Sequence, residues 1–261
     1  MPELPEVEHA VRRLRGWIAG RTIVRAEVHH AAIRRTLTAA KVRALAGREV
    51  RSVSRRGKHQ FVHLDDGRVL HVHFRMNGDW AQVAAGGDAP RHVRLTLHLD
   101  DATRVVLTDS RALATAVLLG DIRAVLAELG PEADDPALTP SVFRSALAGK
   151  RTPIKVALLD QRQLAGVGNI YATEALWHAH VSPRAAAGSL SPARARAVLD
   201  GVRTALGRGM RREGRYADGE SHEFLVYDRE GLACHHGCGG TIRRIVQAGR
   251  STYYCPRCQK R

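Results

Sequence analysis

Acidic residues are scarce in this sequence: 26 Asp and Glu stand against 41 Lys and Arg, giving a formal net charge of +15. So large a basic excess predicts a polyanionic partner, because neutralising phosphate groups releases their counterions. Charge alone does not choose among polyanions, since acidic membranes and ribosomal RNA also attract basic chains.

Long hydrophobic runs are also missing. No stretch of about eighteen or more apolar residues occurs, which excludes an ordinary membrane-spanning helix. The N-terminus lacks the basic region and apolar run of a secretory signal, so we expect an intracellular, cytoplasmic protein. No segment repeats at a fixed period, which argues against a solenoid.

Cysteine is absent from the first 233 residues, and all four cysteines form two close pairs, Cys234-x3-Cys238 and Cys255-x2-Cys258. In a reducing compartment this arrangement indicates a metal site rather than disulfides. Four thiolates can hold one structural Zn²⁺ tetrahedrally at the ends of a β-hairpin, and the metal then stabilises a segment too small to fold alone. The first pair has one residue more than the usual spacing, so His235 or His236 could replace a cysteine as ligand.

Hydrophobic periodicity predicts an α+β fold. Apolar residues recur at helical spacing over Glu6–Ile18, and short alternating segments then predict a β-sandwich or barrel. The predicted strands are Thr22–Val28, Glu49–Ser54, His59–Leu64, Val69–Phe74, Val93–Leu99 and Arg104–Leu107.

The second half of the chain is predicted to be helical up to about Gly209. Thr139-Pro140 and Ser191-Pro192 each combine an N-cap residue with proline at the first helical position. Gly209–Glu223, rich in glycine and charge, is predicted to be a mobile loop. We therefore expect an N-terminal domain at 1–130, a linker at 131–140, a helical domain at 141–222 and a zinc ribbon at 223–261.

The first residues carry the strongest chemical signal. Removal of Met1 would leave Pro2 as the N-terminal residue, with a secondary amine that is far less protonated at neutral pH than a lysine. Such an amine can attack a sugar carbon and hold it as an iminium, and Glu3 is close enough to supply protons to the same sugar. Taken alone, Pro2 and Glu3 could equally serve to begin a helix.

Two internal motifs are typical of phosphate binding. Gly166 and Gly168 allow tight turns that place backbone amides and Asn169 at the start of the next helix, where an anion is favoured. Lys58 follows a glycine between two predicted strands, in Arg55-Arg-Gly-Lys-His59. Separately, each motif could be an ordinary connecting turn.

Together, Met1–Glu8, Arg55–His59, Ile154–Glu174 and Cys234–Cys258 resemble the formamidopyrimidine-DNA glycosylase and endonuclease VIII family of bifunctional repair enzymes. The resemblance implies a helix–two-turns–helix motif in the helical domain and a zinc-ribbon hairpin at the C-terminus. It implies that Pro2 is the nucleophile at sugar C1′, that Glu3 protonates the sugar, and that Lys58 contacts the lesion and its phosphate. It further implies DNA contacts by Asn169, Arg250, His73, Met76, Arg111 and Lys155, with Met76 filling the gap left by an extruded nucleotide and Glu6 facing the lesion.

The chain departs from the family after Thr108-Asp109. The formamidopyrimidine branch usually continues Pro-Arg-Arg-Phe-Gly, whereas this chain has Ser-Arg-Ala-Leu-Ala, so that Leu113 stands for the wedging phenylalanine. The segment Gly209–Phe224 is also shorter than the loop that caps 8-oxoguanine in that branch. The preferred lesion therefore stays open among 8-oxoguanine, ring-opened purines and oxidised pyrimidines.

The sequence thus predicts a base-excision repair glycosylase and abasic-site lyase that acts on damaged double-stranded DNA by β,δ-elimination. We expect a monomer without membrane contact, associated with the bacterial nucleoid. The alternatives are an endonuclease VIII-like glycosylase for oxidised pyrimidines, and a catalytically inactive lesion-binding protein of the same fold.

Overall fold

The computed structural model describes residues 2–211 and 224–260, and it divides the chain into two compact units, Met1–Leu126 and Ala127–Arg261. Most of the segment predicted to be a mobile loop, residues 212–223, lies outside the described residues. No helix in the described part of the chain is long and apolar enough to cross a membrane.

The first unit begins with α1 (Leu4–Ile18), whose apolar residues fall on one face and are buried. An antiparallel sheet follows, with the short helices α2 (Ala31–Arg34) and α3 (Ala39–Arg43) inserted after its first strand. Its strands are β1 (Thr22–Val28), β2 (Arg48–Arg56), β3 (His59–Leu64), β4 (Val69–His73), β5 (Asp79–Val83), β6 (Val93–Leu99), β7 (Arg104–Thr108) and β8 (Thr115–Leu119).

The strand order is β5-β7-β6-β1-β2-β3-β4-β8, and the two central strands have few paired residues. There β1 and β2 pair through only two residue pairs, Thr22 with Glu49 and Ile23 with Arg48. The four strands on each side of this junction share one core with α1, and the Trp80 indole on β5 donates to Gln60 on β3 at 2.8 Å. The two halves of the sheet therefore enclose a single core.

The predicted α+β fold class is confirmed, and the sequence prediction missed two strands. These are β5 and β8, which are the two edges of the sheet and pair with one neighbour each. A short edge strand carries little local signal, because pairing on one side stabilises it more than its own residues do.

After α4 (Arg123–Ala127), the second unit is mainly helical. It contains α5 (Pro140–Leu147), α6 (Ile154–Leu158), α7 (Asn169–His178), a 3₁₀ turn (Ala187–Ser189) and α8 (Pro192–Arg211), followed by the hairpin β9 (Arg243–Gln247) and β10 (Arg250–Tyr254). Thr139 caps α5 by accepting the Val142 backbone N–H, as the Thr-Pro signal predicts. Part of the predicted linker packs within this unit, since Ala133 and Leu138 are buried and their carbonyls accept hydrogen bonds from Arg203.

Candidate active site and zinc centre

Pro2 and Glu3 lie at the start of α1, and both are buried. Glu3 and Glu6 form a capping box: the Glu6 carboxylate accepts the Glu3 backbone N–H at 2.8 Å, and the Glu3 carboxylate accepts the Glu6 backbone N–H. The positive end of the helix dipole favours a carboxylate at this position. The helix therefore fixes Glu3 directly beside Pro2, and Glu6, which was predicted to face the lesion, holds the Glu3 backbone.

The start of α1 is anchored to the β2–β3 hairpin. Arg55 on β2 donates to the Glu8 carboxylate at 2.8 Å, and Arg15 donates to the Val53 carbonyl at 2.9 Å. Burial alone would raise the pKa of Glu8, but hydrogen bonds from Arg55 and Arg12 hold it below its ordinary value. This ion pair keeps the first turns of α1 beside the hairpin that carries Lys58.

Lys58 lies in the tight turn between β2 and β3, and it is 6% exposed. Gly57 precedes it with a φ of 56°, a conformation that glycine adopts without strain. A lysine placed so deeply is oriented by its surroundings, unlike the solvated lysine of an ordinary hairpin turn.

Three histidines line the adjoining strands β3 and β4. His59 Nδ1 lies 2.9 Å from His71 Nε2, and the His59 and His73 rings meet edge to face. Burial lowers the pKa of His59 and His71 to about 4 and that of His73 to about 3, and the charge of Arg75 contributes to the shift of all three. The cluster is therefore uncharged at neutral pH.

The tautomer of His73 follows from its backbone contact. The Arg75 backbone N–H donates to His73 Nδ1 at 2.9 Å, so this nitrogen carries no proton. In a neutral imidazole the proton must then lie on Nε2, which makes Nε2 a hydrogen-bond donor. His73 can therefore donate to a phosphate oxygen without bearing a charge.

Met76 and Leu113 lie on two neighbouring turns. They are 37% and 45% exposed, so neither is a core residue, and the Asn77 amide donates to Ser110 Oγ at 2.7 Å to join the turns. The buried Asp109 carboxylate shapes the second turn by accepting the backbone N–H groups of Arg111, Leu113 and Ala114. Two apolar side chains and the exposed Arg111 are thus presented together.

In the second unit, residues 159–168 form the connection between α6 and α7. Gln161 organises this loop: its amide donates to the Leu159 and Val167 carbonyls, and its carbonyl accepts the Gly166 backbone N–H at 2.9 Å. Gly166 has a φ of 91°, as the two-turn pattern requires. Gln161 was not among the predicted site residues, although a polar residue just before a two-glycine turn is a recognisable signal.

Asn169 begins α7 and connects three parts of the second unit. Lys155 on α6 is fully buried and donates from Nζ to Asn169 Oδ1 at 2.5 Å, while Asn169 Nδ2 donates to the Ser251 carbonyl on β10 at 2.9 Å. The exposed Arg250 adjoins Ser251 at the tip of the β9–β10 hairpin. The structure thus brings Lys155 and Asn169 into contact at the start of α7, next to the hairpin tip that carries Arg250. Lys155, which was predicted to contact DNA, is instead fully buried against Asn169.

Glu174, which was also not among the predicted site residues, holds the chain that leads into the hairpin. Its buried carboxylate accepts the backbone N–H groups of Leu225, Val226 and Tyr227 at 2.9–3.0 Å. Burial raises the pKa of Glu174, and these three donors oppose that change by favouring the charged form. A single carboxylate in the otherwise apolar α7 was the available signal.

The four cysteines converge, and they fit one zinc ion. All four sulfur atoms lie within 4.8 Å of one another, with Cys234 and Cys258 Sγ 3.8 Å apart and Cys238 and Cys255 Sγ 3.6 Å apart. Sulfur atoms at about 2.3 Å from a tetrahedral zinc are about 3.8 Å from each other. The four-cysteine set is therefore complete without His235 or His236, and the site is a structural zinc centre.

Known proteins are similar to this chain over its whole length. Family models described as the formamidopyrimidine-DNA glycosylase N-terminal domain, its H2TH domain, and the zinc finger found in FPG and IleRS match residues 1–116, 129–219 and 231–261. Formamidopyrimidine-DNA glycosylases of Paracoccus denitrificans and Sinorhizobium fredii are each 40% identical, over all of this chain and all of theirs.

Solved structures agree with these matches. Lactococcus lactis formamidopyrimidine-DNA glycosylase bound non-covalently to DNA with an AP site is 30% identical, has a TM-score of 0.91, and matches 99% of this chain and 100% of its own. A structure of MutM in complex with DNA containing carbocyclic 8-oxo-G gives a TM-score of 0.89 at 30% identity. This chain belongs to the formamidopyrimidine-DNA glycosylase family.

Proposed function

We propose that this protein excises damaged bases from DNA and then cleaves the strand at the resulting abasic site, with Pro2 as the nucleophile. The observation that carries this proposal is the buried Pro2–Glu3 pair, fixed by the first turn of α1 and anchored to the Lys58 hairpin. Full-length similarity to glycosylases, including one bound to AP-site DNA, supports it.

The reaction begins once Met1 has been removed. The Pro2 nitrogen attacks C1′, the bond between C1′ and the base breaks, and the base leaves with a proton. Glu3 protonates the sugar ring oxygen, so the ring opens and C1′ and Pro2 form an iminium. Loss of the C2′ proton then expels the 3′ phosphate, a second elimination expels the 5′ phosphate, and water releases the remaining sugar fragment from Pro2.

DNA binding is assigned to two groups of residues, one in each unit. In the second unit, Asn169 and Arg250 bind backbone phosphates together with the amides at the start of α7, and the fully buried Lys155 acts indirectly by holding Asn169. In the first unit, His73 Nε2, Lys58 and Arg111 do so close to the lesion. Zinc, held by the four cysteines, stabilises the hairpin that presents Arg250 and takes no part in the chemistry.

A base stacked inside a duplex cannot reach Pro2, so the nucleotide must be extruded and the gap filled. The exposed Met76 and Leu113 are the apolar side chains proposed to enter the stack. We further propose that the protein acts as a monomer in the bacterial cytoplasm, on the DNA of the nucleoid.

The absence of a second arginine after Arg111, together with Leu113, favours a second candidate substrate class, the oxidised pyrimidines. Matched duplexes that carry a single 8-oxoguanine, a ring-opened purine or an oxidised pyrimidine, each opposite every base, separate the two candidates by their excision rates. Faster excision of the pyrimidine lesion would assign the protein an endonuclease VIII-like preference.

Borohydride trapping tests the nucleophile. Reduction during reaction with abasic DNA should give a covalent complex that peptide mass spectrometry locates at Pro2 in the native protein. Pro2→Gly, which has a primary amine without the fixed ring, should give much less of this complex. Glu3→Gln should slow base excision while still allowing an abasic site to be trapped, because that substrate already presents C1′ without a base. A cross-link located at any residue other than residue 2, or an active enzyme that retains Met1 by mass spectrometry, would exclude this mechanism. A native protein that binds lesions without excising them would instead be the inactive relative.

A further inference from the structure

Two ring nitrogens outside the cysteine set lie within hydrogen-bonding distance of cysteine sulfur atoms of the zinc site. The Trp177 indole Nε1 donates to Cys234 Sγ at 3.3 Å, and His236 Nδ1 lies 3.4 Å from Cys258 Sγ. The two sulfur atoms are themselves neighbours, 3.8 Å apart. Trp177 belongs to α7, 57 residues before Cys234, so one donor comes from the helical part of the unit and the other from the first knuckle.

Ring stacking fixes the direction of the His236 imidazole. Its centroid lies 3.5 Å from that of the Trp177 ring with 7° between the planes, and His180 covers the other face at 4.1 Å and 23°. His236 is thus held between two rings with Nδ1 directed at Cys258.

The same group of residues could instead suggest a second metal site, since ligand atoms of His180, His236 and Cys258 lie within 4.8 Å of one another. An imidazole binds a metal along a lone pair in the plane of its ring, at about 2.0 Å. Two nearly parallel, stacked rings cannot both direct such lone pairs at one ion. The stack therefore favours hydrogen bonding over chelation.

We propose that Trp177 and His236 are positioning residues of the zinc centre, which donate N–H hydrogen bonds to the Cys234 and Cys258 thiolates and thereby slow zinc loss. Four thiolates around Zn²⁺ leave a net negative charge, and two N–H donors offset part of it. In this arrangement the donating proton of His236 is the one on Nδ1, which faces Cys258.

This arrangement also attaches α7 to the metal site. Asn169 lies at the N-terminal end of α7 and contacts the β10 strand, while Trp177 near the other end contacts Cys234. Trp177 packs in the small core of the ribbon with Val226, Ile242 and Tyr253. Zinc retention and the placement of the phosphate-binding Asn169 are therefore linked through one helix.

Zinc release to a chelator from the full-length protein tests the proposal. Trp177→Phe and His236→Phe keep an aromatic ring and remove the N–H, so each should weaken zinc binding about 10- to 100-fold. His235→Phe, a change at the exposed neighbouring histidine of the same knuckle, should leave release unchanged. Equal release from the native protein and both donor variants, or an equal effect of His235→Phe, would overturn the assignment.

Cobalt substitution distinguishes a lost hydrogen bond from general loosening. Thiolates without donors give electrons to the metal more readily, so the sulfur-to-cobalt charge-transfer band of His236→Phe should move to lower energy. His236→Asn, whose amide can donate from nearly the same place, should restore the native band position. A band that stays in place in His236→Phe, or one that Asn does not restore, would contradict the proposal. Neither measurement uses DNA, so both outcomes are independent of the chemistry proposed for Pro2.

Discussion

Single buried side chains set the local geometry of the proposed site. Asp109 is 1% exposed and accepts three backbone N–H groups, and in doing so it fixes the turn that carries Arg111 and Leu113. Ala112 in this turn has a φ of 53°, a conformation that non-glycine residues adopt only when their surroundings impose it. A buried carboxylate thus places Leu113, one of the two residues proposed to enter the base stack.

Removing this carboxylate should therefore cost both stability and binding. We expect Asp109→Ala to lower the free energy of unfolding by about 2–3 kcal/mol, because three buried N–H groups lose a charged acceptor. Asp109→Asn keeps one carbonyl acceptor, so its free energy of unfolding should lie between those of Asp109→Ala and the native protein. Chemical denaturation measures the series, and equal stability of all three proteins would show that Asp109 does not organise the turn.

Because of the histidine cluster, we expect the folded protein to become less stable in mild acid. His59, His71 and His73 have pKa values of about 4, 4 and 3 in the folded protein, below the ordinary value of 6.5. Between the folded pKa values of about 3 to 4 and the ordinary value of 6.5, the unfolded chain binds protons that the folded chain does not. The free energy of unfolding therefore rises with pH across this range and decreases as the pH falls.

The cluster's share of this dependence can be isolated with His71→Phe, which keeps a ring against Phe61 and removes one titrating group. The urea midpoint of this variant should drop less between pH 7 and pH 5 than that of the native protein. Comparing the two proteins cancels the acid sensitivity of the zinc thiolates, which both contain. Parallel pH profiles would argue against the cluster as a source of acid sensitivity.

At the scale of elements, helix α7 of the second unit contacts three other parts of that unit. Its N-terminus carries Asn169, Glu174 in its middle holds the chain at 225–227, and Trp177 reaches the zinc cysteines. The helix packs against α8 at Gly201, where a Cβ would lie 2.4 Å from the Ala175 carbonyl oxygen. Close approach of the two backbones is therefore possible only with glycine at this position.

Gly201→Ala should push α8 away from α7 and lower stability by about 1–3 kcal/mol, as overpacking of a tight contact does. Gly207→Ala is the matched control on the same helix, because its Cβ would meet nothing nearer than Arg211 Nη1 at 3.6 Å. That change should be neutral or add up to about 1 kcal/mol through helix propensity. Thermal unfolding of the pair checks the contact, and equal losses at both positions would refute it.

At the scale of the whole molecule, the charge of +15 should dominate DNA affinity. Binding to a duplex with an abasic-site analogue should weaken steeply with salt, and Arg250→Ala should reduce the slope of log K against log salt by about 1. Arg123→Ala removes an exposed arginine that pairs with Asp121 and lies outside the proposed site. Fluorescence anisotropy across a salt series measures these slopes, and we expect Arg123→Ala to have the slope of the native protein. If Arg250→Ala also has the native slope, Arg250 does not contact a phosphate.

Local chemistry made several features predictable. Helix α1 follows from its apolar spacing, the caps of α5 and α8 from Thr-Pro and Ser-Pro, and the zinc ligands from two cysteine pairs. Each depends on residues close together in the chain. The edge strands β5 and β8 were missed because their stability comes from one distant neighbour each, β7 and β4.

The sequence by itself therefore determined the family, the α+β fold class, the two cysteine pairs of the metal site and the candidate Pro2 and Glu3, since periodicity and short motifs specify them. Only the tertiary structure decided which groups surround them. It brings Asn77 to Ser110 across 33 positions and Trp177 to Cys234 across 57, through strand register and helix packing. Such partners leave no local pattern, because many distant contacts acting together bring them within hydrogen-bonding distance.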